Sequence, residues 1–319
     1  MEVVRGEEDR TLTARVVSRT PLLYGAGPDA SLDRPAHVRA ASGAAWAGGR
    51  LAIVQDDALF VAFVDPTCRR VEALPLPAGA GGERLFDDRR GNKARKLDLE
   101  ACVADGDLLV AFGSGSTRER ERLVLLRGTE ASLAHVPRWY EGLRAHGDFA
   151  GSGLNIEGAI LLGDVLRLFH RGNDAPRAGQ SPCDATCDVD WRPLLDHVAR
   201  GTPPPTPGRV SRYDLGAIDG VRLGFTDAAL RGSEVWFLAA AEASPDAVRD
   251  GPVAGSVLGR IGDDHARWTR ILDERGRPIR GKAEGLAFPP GDPGRAYVVF
   301  DHDDPEVPSE WTEIVVDGA

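Results

Sequence analysis

The stretch "LEACVADGDLLVAFGSGS", Leu99 to Ser116, sets the plan of this chain. An apolar run, a Gly-centred turn, a second apolar run and a polar loop are the pattern of an antiparallel strand pair. Four further copies of the plan begin at Ala41, Ile156, Phe225 and Ala283. The second residue of each copy is, in chain order, Ser42, Glu100, Glu157, Thr226 and Glu284. These positions lie 58, 57, 69 and 58 residues apart, so the sequence is an internal repeat.

Each copy has room for four short strands, and convincing amphipathic helices are almost absent. Four-stranded units at this period predict an all-β chain folded as a five-bladed β-propeller. After the strand of Glu284 there is room for only two more, "AYVVF" and "TEIVV", whereas "LTARVVS", Leu12 to Ser18, precedes the first copy without a partner. We therefore expect the N-terminal strand to complete the last blade, because this closes the ring and removes an exposed edge. Residues 1–319 are expected to form a single domain.

The third copy is longer than the others, and its surplus lies at about residues 174–208. This segment ends in a proline-rich stretch and has room for one helical turn around "WRPLLDHVA". It is expected to cap one face of the ring, either as a lid or as a decorated loop. The pair Cys183 and Cys187 lies within it, and a C-x3-C pair without further ligands favours plain thiols or a local disulfide over a metal site.

The formal net charge of −10 and the pI of about 5.3 argue against nucleic acid or an anionic membrane as a partner. A small-molecule ligand or substrate, cationic or bridged by a metal, fits this charge better. The first ten residues have no apolar region of a signal peptide, and no stretch reaches the length of a membrane span. The chain is therefore expected to be soluble. Its four cysteines are few enough to fit a reducing compartment, so a cytoplasmic location is expected, and a monomer is expected as well.

The repeat also predicts a site. The first strand of each propeller blade runs along the central channel, so the five repeat positions are expected to face one another around the axis. Three converging carboxylates repel unless they are protonated or neutralised by a cation. Oxygen ligands favour a hard ion, and Ca²⁺ accepts irregular coordination, so we predict that this ion is bound by Ser42, Glu100, Glu157, Thr226 and Glu284. The alternative is a buried ion network without metal, in which Lys96 and Lys282 neutralise the glutamates.

Other ionisable residues are expected on the same face, because the loops after the second strands lie level with the central positions. Each of them has the alternative of a solvated loop charge or a turn cap. The candidates for general bases or for ligands of a second cation are Asp56, Asp57, Asp98, Asp301 and Asp303. The candidates for binding a substrate are Lys96, Arg171, Asn173, Lys282 and His302.

The central residues, "GF" before Thr226 and "KAEGLAF" around Glu284 resemble the calcium-activated nucleotidases (apyrases). The "E-G" strand openings are also similar to esterase-like phytase domains and, more distantly, to gluconolactonase-type propellers. With "NIEG" and "GSGS", the chain also resembles bacterial propeller proteins that carry the same signatures. The apyrase resemblance implies a central Ca²⁺ and hydrolysis of a phosphoanhydride or ester on the same face. The sequence departs from that family because Asp56 and Asp57 are followed by "ALF" instead of Arg-Thr-Gly, and because only Arg171 stands where the family has paired arginines.

Two functions therefore remain open from the sequence. One is a Ca²⁺-dependent hydrolase in which Lys96 and Arg171 bind an anionic group and an aspartate acts as base. The other is a non-catalytic propeller that binds a small ligand or a protein and contains a structural Ca²⁺. The fold class is compatible with both.

Overall fold

The computed structural model describes residues 2–177, 179–243, 251–262 and 264–318. These residues are mainly β-strands, so the all-β prediction is confirmed. The described helices are the α-helices α1 (Pro137–Ala145), α2 (Gly147–Ala150) and α3 (Trp191–Arg200), and the 3₁₀ turns Lys93–Arg95 and Arg118–Arg120. No described helix is long and apolar enough to cross a membrane.

The strands follow the sequence repeat, after two N-terminal strands β1 (Val3–Glu8) and β2 (Thr13–Pro21). Unit 1 contains β3 (Ala41–Ala47), β4 (Arg50–Gln55), β5 (Phe60–Asp65) and β6 (Arg70–Pro75). Unit 2 contains β7 (Leu99–Asp105), β8 (Leu108–Gly113), β9 (Arg122–Arg127) and β10 (Glu130–His135). Unit 3 contains β11 (Ile156–Leu162), β12 (Val165–His170), β13 (Asp184–Asp190) and β14 (Val210–Asp214).

Unit 4 contains the short β15 (Ala217–Ile218), β16 (Val221–Arg231), β17 (Glu234–Glu242), β18 (Val253–Ile261) and β19 (His265–Leu272). Unit 5 contains β20 (Lys282–Ala287), β21 (Arg295–Asp301) and β22 (Glu310–Asp317). Consecutive strands within every unit pair antiparallel.

Burial decreases from the inner to the outer strands of a unit. In unit 2, every residue of β8 is buried, whereas β10 has the alternating exposure of a strand with one face in solvent. A continuous apolar run such as "LLVAF" is therefore needed where a strand has packing partners on both faces. The turn between β7 and β8 contains Gly106 at φ +62°, a conformation that L residues with a side chain rarely adopt.

The N-terminal strand pairs with the last strand of the chain, as the sequence predicted. β2 pairs antiparallel with β22, from Thr13 opposite Asp317 to Pro21 opposite Glu310. The pairing buries Ala14 and Val16 in the core of unit 5. β2 thus supplies the fourth strand of that unit.

The strand β1 has a role that the repeat did not predict. It pairs parallel with β14 of unit 3 and also with β19 of unit 4, and so covers the outer edges of both units. Because β2 also pairs with β19, units 3 to 5 share one hydrogen-bonded network of 14 strands. An outer edge that is paired in this way is protected from pairing with another chain.

The extra segment at 174–208 contributes mainly to unit 3. Its residues Asp184–Asp190 form β13, which lies between β12 and β14, and the helical turn expected there is α3. Residues 201–209 contain no regular secondary structure. Cys183 and Cys187 are free thiols, as are the other two cysteines.

The five first strands lie side by side in the order β3, β7, β11, β16, β20, and β20 lies beside β3. Their far ends surround one apolar cavity of about 200 Å³, lined by residues 44–46, 102–104, 159–161, 228–230 and 286–288. The arrangement is propeller-like, with the inner strands around a common axis.

Candidate functional site

The central residues predicted from the repeat occupy equivalent positions in the structure. In β7, the pairing with β8 is interrupted between Leu99 and Ala101, so Glu100 is the extra residue of a β-bulge. The same irregularity occurs in the four other inner strands, at Ser42 and Gly43, Glu157, Thr226 and Glu284. A bulge bends the strand and redirects a side chain. Each of the five repeat positions is therefore a residue that takes no part in the regular pairing between the first and second strands of its unit.

The three glutamates lie close enough to affect one another. Burial raises the pKa of Glu100 well above its ordinary value, and the charges of Asp56, Asp98 and Glu157 raise it further. Burial also raises the pKa of Glu284, where Glu157 again adds repulsion and Lys282 opposes it. Glu157 acts on both other glutamates, so the fold brings together side chains that are far apart in sequence.

On one side of the centre, Glu100 adjoins two aspartates. Carboxylate oxygens of Asp56, Asp98 and Glu100 lie within 4.8 Å of one another. The Nζ atom of Lys96 is 2.6 Å from Oδ1 of Asp56 and 2.7 Å from Oδ1 of Asp98. Within the described parts of the chain, the half-buried Glu100 makes no hydrogen bond or ion pair.

The two aspartates differ in protonation behaviour. Burial raises the pKa of Asp56 to about 8, although Lys96 opposes this. Burial also disfavours the ionised form of Asp98, but Lys96 and Arg120 together hold its pKa well below the ordinary value. Arg120 Nη1 lies 2.7 Å from Oδ2 of Asp98, and Ser114 donates to the same oxygen. The second cation, Arg120, therefore makes Asp98 the more easily ionised member of the pair.

On the other side of the centre, two cations bridge three glutamates. Lys282 Nζ lies 2.6 Å from Oε1 of Glu284 and 3.6 Å from Oε2 of Glu242. Arg171 donates to Oε2 of Glu242 at 2.8 Å, and its Nη1 is 3.7 Å from Oε1 of Glu157. Burial lowers the pKa of both cations, but the surrounding carboxylates raise it above the ordinary value. The buried Oε2 of Glu284 accepts no hydrogen bond from the described residues.

Among the described residues, the charges of this central cluster do not balance. Its four cations are Lys96, Arg120, Arg171 and Lys282. Besides Glu242, which contacts Arg171 and Lys282, the cluster contains the five carboxylates Asp56, Asp98, Glu100, Glu157 and Glu284. If all are ionised, negative charge is in excess, and a buried uncompensated charge is strongly unfavourable.

Two of the predicted ligands have their hydroxyl groups engaged elsewhere. Thr226 Oγ1 donates to the carbonyl oxygen of Ala283 at 2.6 Å, and Ser42 Oγ donates to the carbonyl oxygen of Leu99. Ser42 and Thr226 are 3% and 1% exposed. Each hydroxyl thus connects its own inner strand to the next one.

Four of the five predicted general bases line a cavity of about 220 Å³, whereas Asp98 does not contribute to its wall. Asp56, Asp57, Asp301 and Asp303 contribute to its wall together with Lys96. Asp57 accepts a hydrogen bond from Arg39, which also contacts Asp87 at 3.2 Å. Asp301 lies opposite Lys282 across the strand pair and accepts a hydrogen bond from Ser309 at 3.2 Å.

The remaining predicted substrate-binding residues lie apart from this cavity. Asn173 lines a second cavity of about 350 Å³ together with Arg171 and Glu242, on the side of units 3 and 4. His302 is exposed, and its Nε2 lies 3.9 Å from Oε2 of Glu310 in β22. The structure therefore places His302 outside both cavities.

Two central residues were missed in the sequence. Asn155 precedes Glu157 by two residues, just as Asp98 precedes Glu100 and Lys282 precedes Glu284, so the same rule would have found it. Its Nδ2 donates to Oε1 of Glu157 at 2.6 Å. Glu242 ends β17, in the loop position that the repeat assigns to this face. Its signal was present in "AAEAS", but a single carboxylate after an alanine run gave no reason to select it.

We expect the free energy of unfolding to depend on pH because of the buried His170. It is fully buried, its Nδ1 lies 3.0 Å from both the backbone nitrogen and the oxygen of Asn155, and burial lowers its pKa to about 4. The protonated imidazole is thus favoured in the unfolded chain, so stability is full above pH 6.5 and falls as the pH decreases towards 4. The loss is on the order of 3 kcal/mol at 1.4 kcal/mol per pKa unit. Urea unfolding of the wild type and of His170→Gln at pH 7.5 and 4.5 measures it; an equal loss in both proteins would contradict it.

Comparisons with known proteins gave distant structural likenesses. Glutaminyl cyclase from Myxococcus xanthus aligns over 99% of both chains with a TM-score of 0.46 and 11% identity. PQQ-bound aldose sugar dehydrogenase from Streptomyces coelicolor aligns over 98% of this chain and 100% of its own, with a TM-score of 0.43 and 13% identity. Regucalcin, a calcium-binding protein from Agrobacterium tumefaciens, aligns over 96% of both chains with a TM-score of 0.41 and 13% identity.

A search of curated proteins gave no match. A family model, by contrast, matches residues 37–316, which begin just before unit 1 and end in β22. Because this match spans most of the chain, including all five repeat copies, the protein belongs to a family of unknown function, DUF6929.

Proposed function

We propose that the chain is a closed five-bladed propeller that binds a divalent cation, Ca²⁺ by preference, at the acidic end of its channel. We further propose that it uses this cation to hydrolyse a small ester or phosphate-containing molecule. The contact of β20 with β3 and the place of β2 in unit 5 support the closed ring. The apolar cavity shared by all five inner strands supports it as well.

The excess of carboxylates over cations is the observation that carries the cation site. The side chain of Glu100 makes no hydrogen bond or ion pair with the described residues, although the charge of Lys96 partly offsets the rise in its pKa. The Oε2 atom of Glu284 is buried without a hydrogen-bond partner among the described residues. Only oxygen donors are available there, which suits a hard cation, and Ca²⁺ accepts six to eight of them in irregular geometry. The proposed ligands are the carboxylates of Glu100, Glu157 and Glu284, with Asp56 and Asp98 next to them. The hydroxyls of Ser42 and Thr226, the other two ligands predicted from the sequence, donate instead to backbone carbonyls of the neighbouring units.

A bound divalent cation would polarise a substrate carbonyl or phosphoryl oxygen, or activate water. The cavity of about 220 Å³ adjoins the proposed ion and offers Asp56, Asp57, Asp301 and Asp303 as acceptors for a proton. Lys96 and Arg171 already contact carboxylates, which leaves them weak binders of an additional anion. This favours a neutral ester over the highly charged nucleotide that the apyrase resemblance implies.

A non-catalytic propeller is the second candidate, and a specific contact favours it. Lys282 lies 2.6 Å from Glu284 and so neutralises one of the three central carboxylates without metal. In that case, the cluster is a buried ion network or holds a structural Ca²⁺, and the two cavities bind a small ligand without chemistry.

The test is an esterase, phosphatase and nucleotidase panel, run with Ca²⁺ and with chelator, on the wild type and on Glu100→Gln. We expect ester turnover that falls at least tenfold in chelator and in Glu100→Gln, because that variant keeps the shape but removes a ligand charge. Glu130→Gln on the exposed face of β10 is the matched control and should keep full activity. Calcium-dependent stability without any turnover would support the scaffold instead. Absence of both calcium binding and turnover would refute the proposal.

A further inference from the structure

Two of the five central positions carry hydroxyls, and both hydroxyls bind the same kind of group. Thr226 in β16 donates to the carbonyl of Ala283 in β20, and Ala283 directly precedes Glu284. Ser42 in β3 donates to the carbonyl of Leu99 in β7, and Leu99 directly precedes Glu100. Each hydroxyl therefore anchors the backbone next to a glutamate of the neighbouring unit.

The third central glutamate has an anchor of another kind. Asn155 donates to Oε1 of Glu157 at 2.6 Å and leaves Oε2 without a hydrogen bond among the described residues. The backbone of Asn155 is itself held by the buried His170 ring, at 3.0 Å, and by Arg171 N–H, at 2.9 Å. The backbone of Asn155 is thus held on both sides, and its side-chain Nδ2 also donates to Oδ1 of Asn173 at 3.2 Å.

We propose that Ser42, Thr226 and Asn155 are positioning residues, which hold Glu100, Glu284 and Glu157 towards the axis and do not bind the cation themselves. This rests on the proposed cation site. It divides the predicted ligand set in two: the carboxylates contact the ion, and the hydroxyls act through the backbone of the next unit.

The bulges supply the physical reason. A bulged residue has lost its place in the strand ladder, so its side chain needs another restraint to keep one direction. A hydrogen bond to the adjacent backbone provides that restraint for Glu100 and Glu284. Ser42, Thr226 and Asn155 are 3%, 1% and 4% exposed, so water does not compete for these bonds. Groups that fix the direction of metal ligands usually alter metal affinity by about 10–100-fold.

The test uses Tb³⁺ as a luminescent substitute for Ca²⁺. Lifetimes in H₂O and D₂O give the number of water molecules on the ion, and titration gives its affinity. For Thr226→Val and for Asn155→Leu we expect affinity to fall at least tenfold with an unchanged water number, and Thr226→Ser should restore the affinity. A ligand that is removed is replaced by water, so one additional water in either variant would overturn the proposal. Thr186→Val, equally buried but in the third strand of unit 3 and in contact with Tyr213, is the matched control.

Crystal structures of the metal-free proteins separate this proposal from the proposed function. If the wild type binds neither Tb³⁺ nor Ca²⁺, the proposed function fails, and the positioning roles are then decided by geometry alone. We expect Glu284 to leave its wild-type position in Thr226→Val and Glu157 to leave it in Asn155→Leu, with no movement in Thr226→Ser. If the variants fold and both glutamates keep their wild-type positions, the positioning roles are overturned. Asn155→Leu keeps the test decisive if Thr226→Val does not fold.

Discussion

We expect deletion of residues 1–21 to abolish the cooperative unfolding transition of this protein, because unit 5 then has no fourth strand. β2 pairs along its whole length with β22 and buries Leu12, Ala14 and Val16 next to Ile314 and Val316. Burial of a large apolar side chain contributes about 1.5–3 kcal/mol, so the loss is on the order of 8 kcal/mol. The free energy of unfolding of a domain is only about 5–15 kcal/mol, so this loss is comparable with the entire stability of the protein.

Two controls distinguish the strand from a general effect of truncation. Deletion of residues 1–10 removes β1 but keeps β2, and should leave a cooperative transition at a lower midpoint. A transposed chain, in which residues 13–21 follow Asp317 through an Asn-Gly turn, should regain cooperative unfolding, because Thr13 already lies opposite Asp317. Circular dichroism and calorimetry measure these transitions. The role of β2 in closing unit 5 is rejected if the 1–21 deletion unfolds at the midpoint of the 1–10 deletion.

Replacing Asp227 by alanine is expected to lower the free energy of unfolding by about 4 kcal/mol. Asp227 is 1% exposed and accepts the backbone N–H of Leu286 in β20 at 2.7 Å. Burial raises its pKa well above the ordinary value, and the backbone N–H groups of Leu286, Ala228 and Ala44 oppose this. One side chain therefore ties β16 to the inner strands of units 5 and 1. A buried donor left without its partner costs about 1–3 kcal/mol. Asp227→Ala leaves two backbone donors of other units, the N–H groups of Leu286 and Ala44, without an acceptor.

Urea unfolding measures this effect against two comparisons. Asp227→Asn keeps a carbonyl acceptor and should lose about half as much. Asp107→Ala removes an exposed partner of Arg127, and pairs of that kind contribute about 0–1 kcal/mol. A loss in Asp227→Ala no larger than that in Asp107→Ala would show that the carboxylate does not hold the inner strands together.

The sequence pointed to only part of the central cluster that the structure brings together, and the reason differs from residue to residue. Glu100, Glu157 and Glu284 were predicted because a repeat places equivalent positions at equivalent places on the axis. Glu242 was missed because its importance comes from contacts with Arg171 and Lys282, which belong to other units. His302 was proposed from its place after a strand, but the loop turns its ring towards Glu310, away from both cavities.

The repeat by itself determined the all-β class, the order of the units, the pairing of the N-terminal strand with the last one and the five central positions. Each of these follows from local periodicity and from the need of every strand to find a partner. Only the tertiary structure decided how the central charges are paired, that Ser42 and Thr226 bond to neighbouring backbone, and that β1 joins units 3 and 4. Such contacts connect residues of different repeats, and their geometry depends on how bulges and loops direct side chains across an interface, which no periodicity in the sequence records.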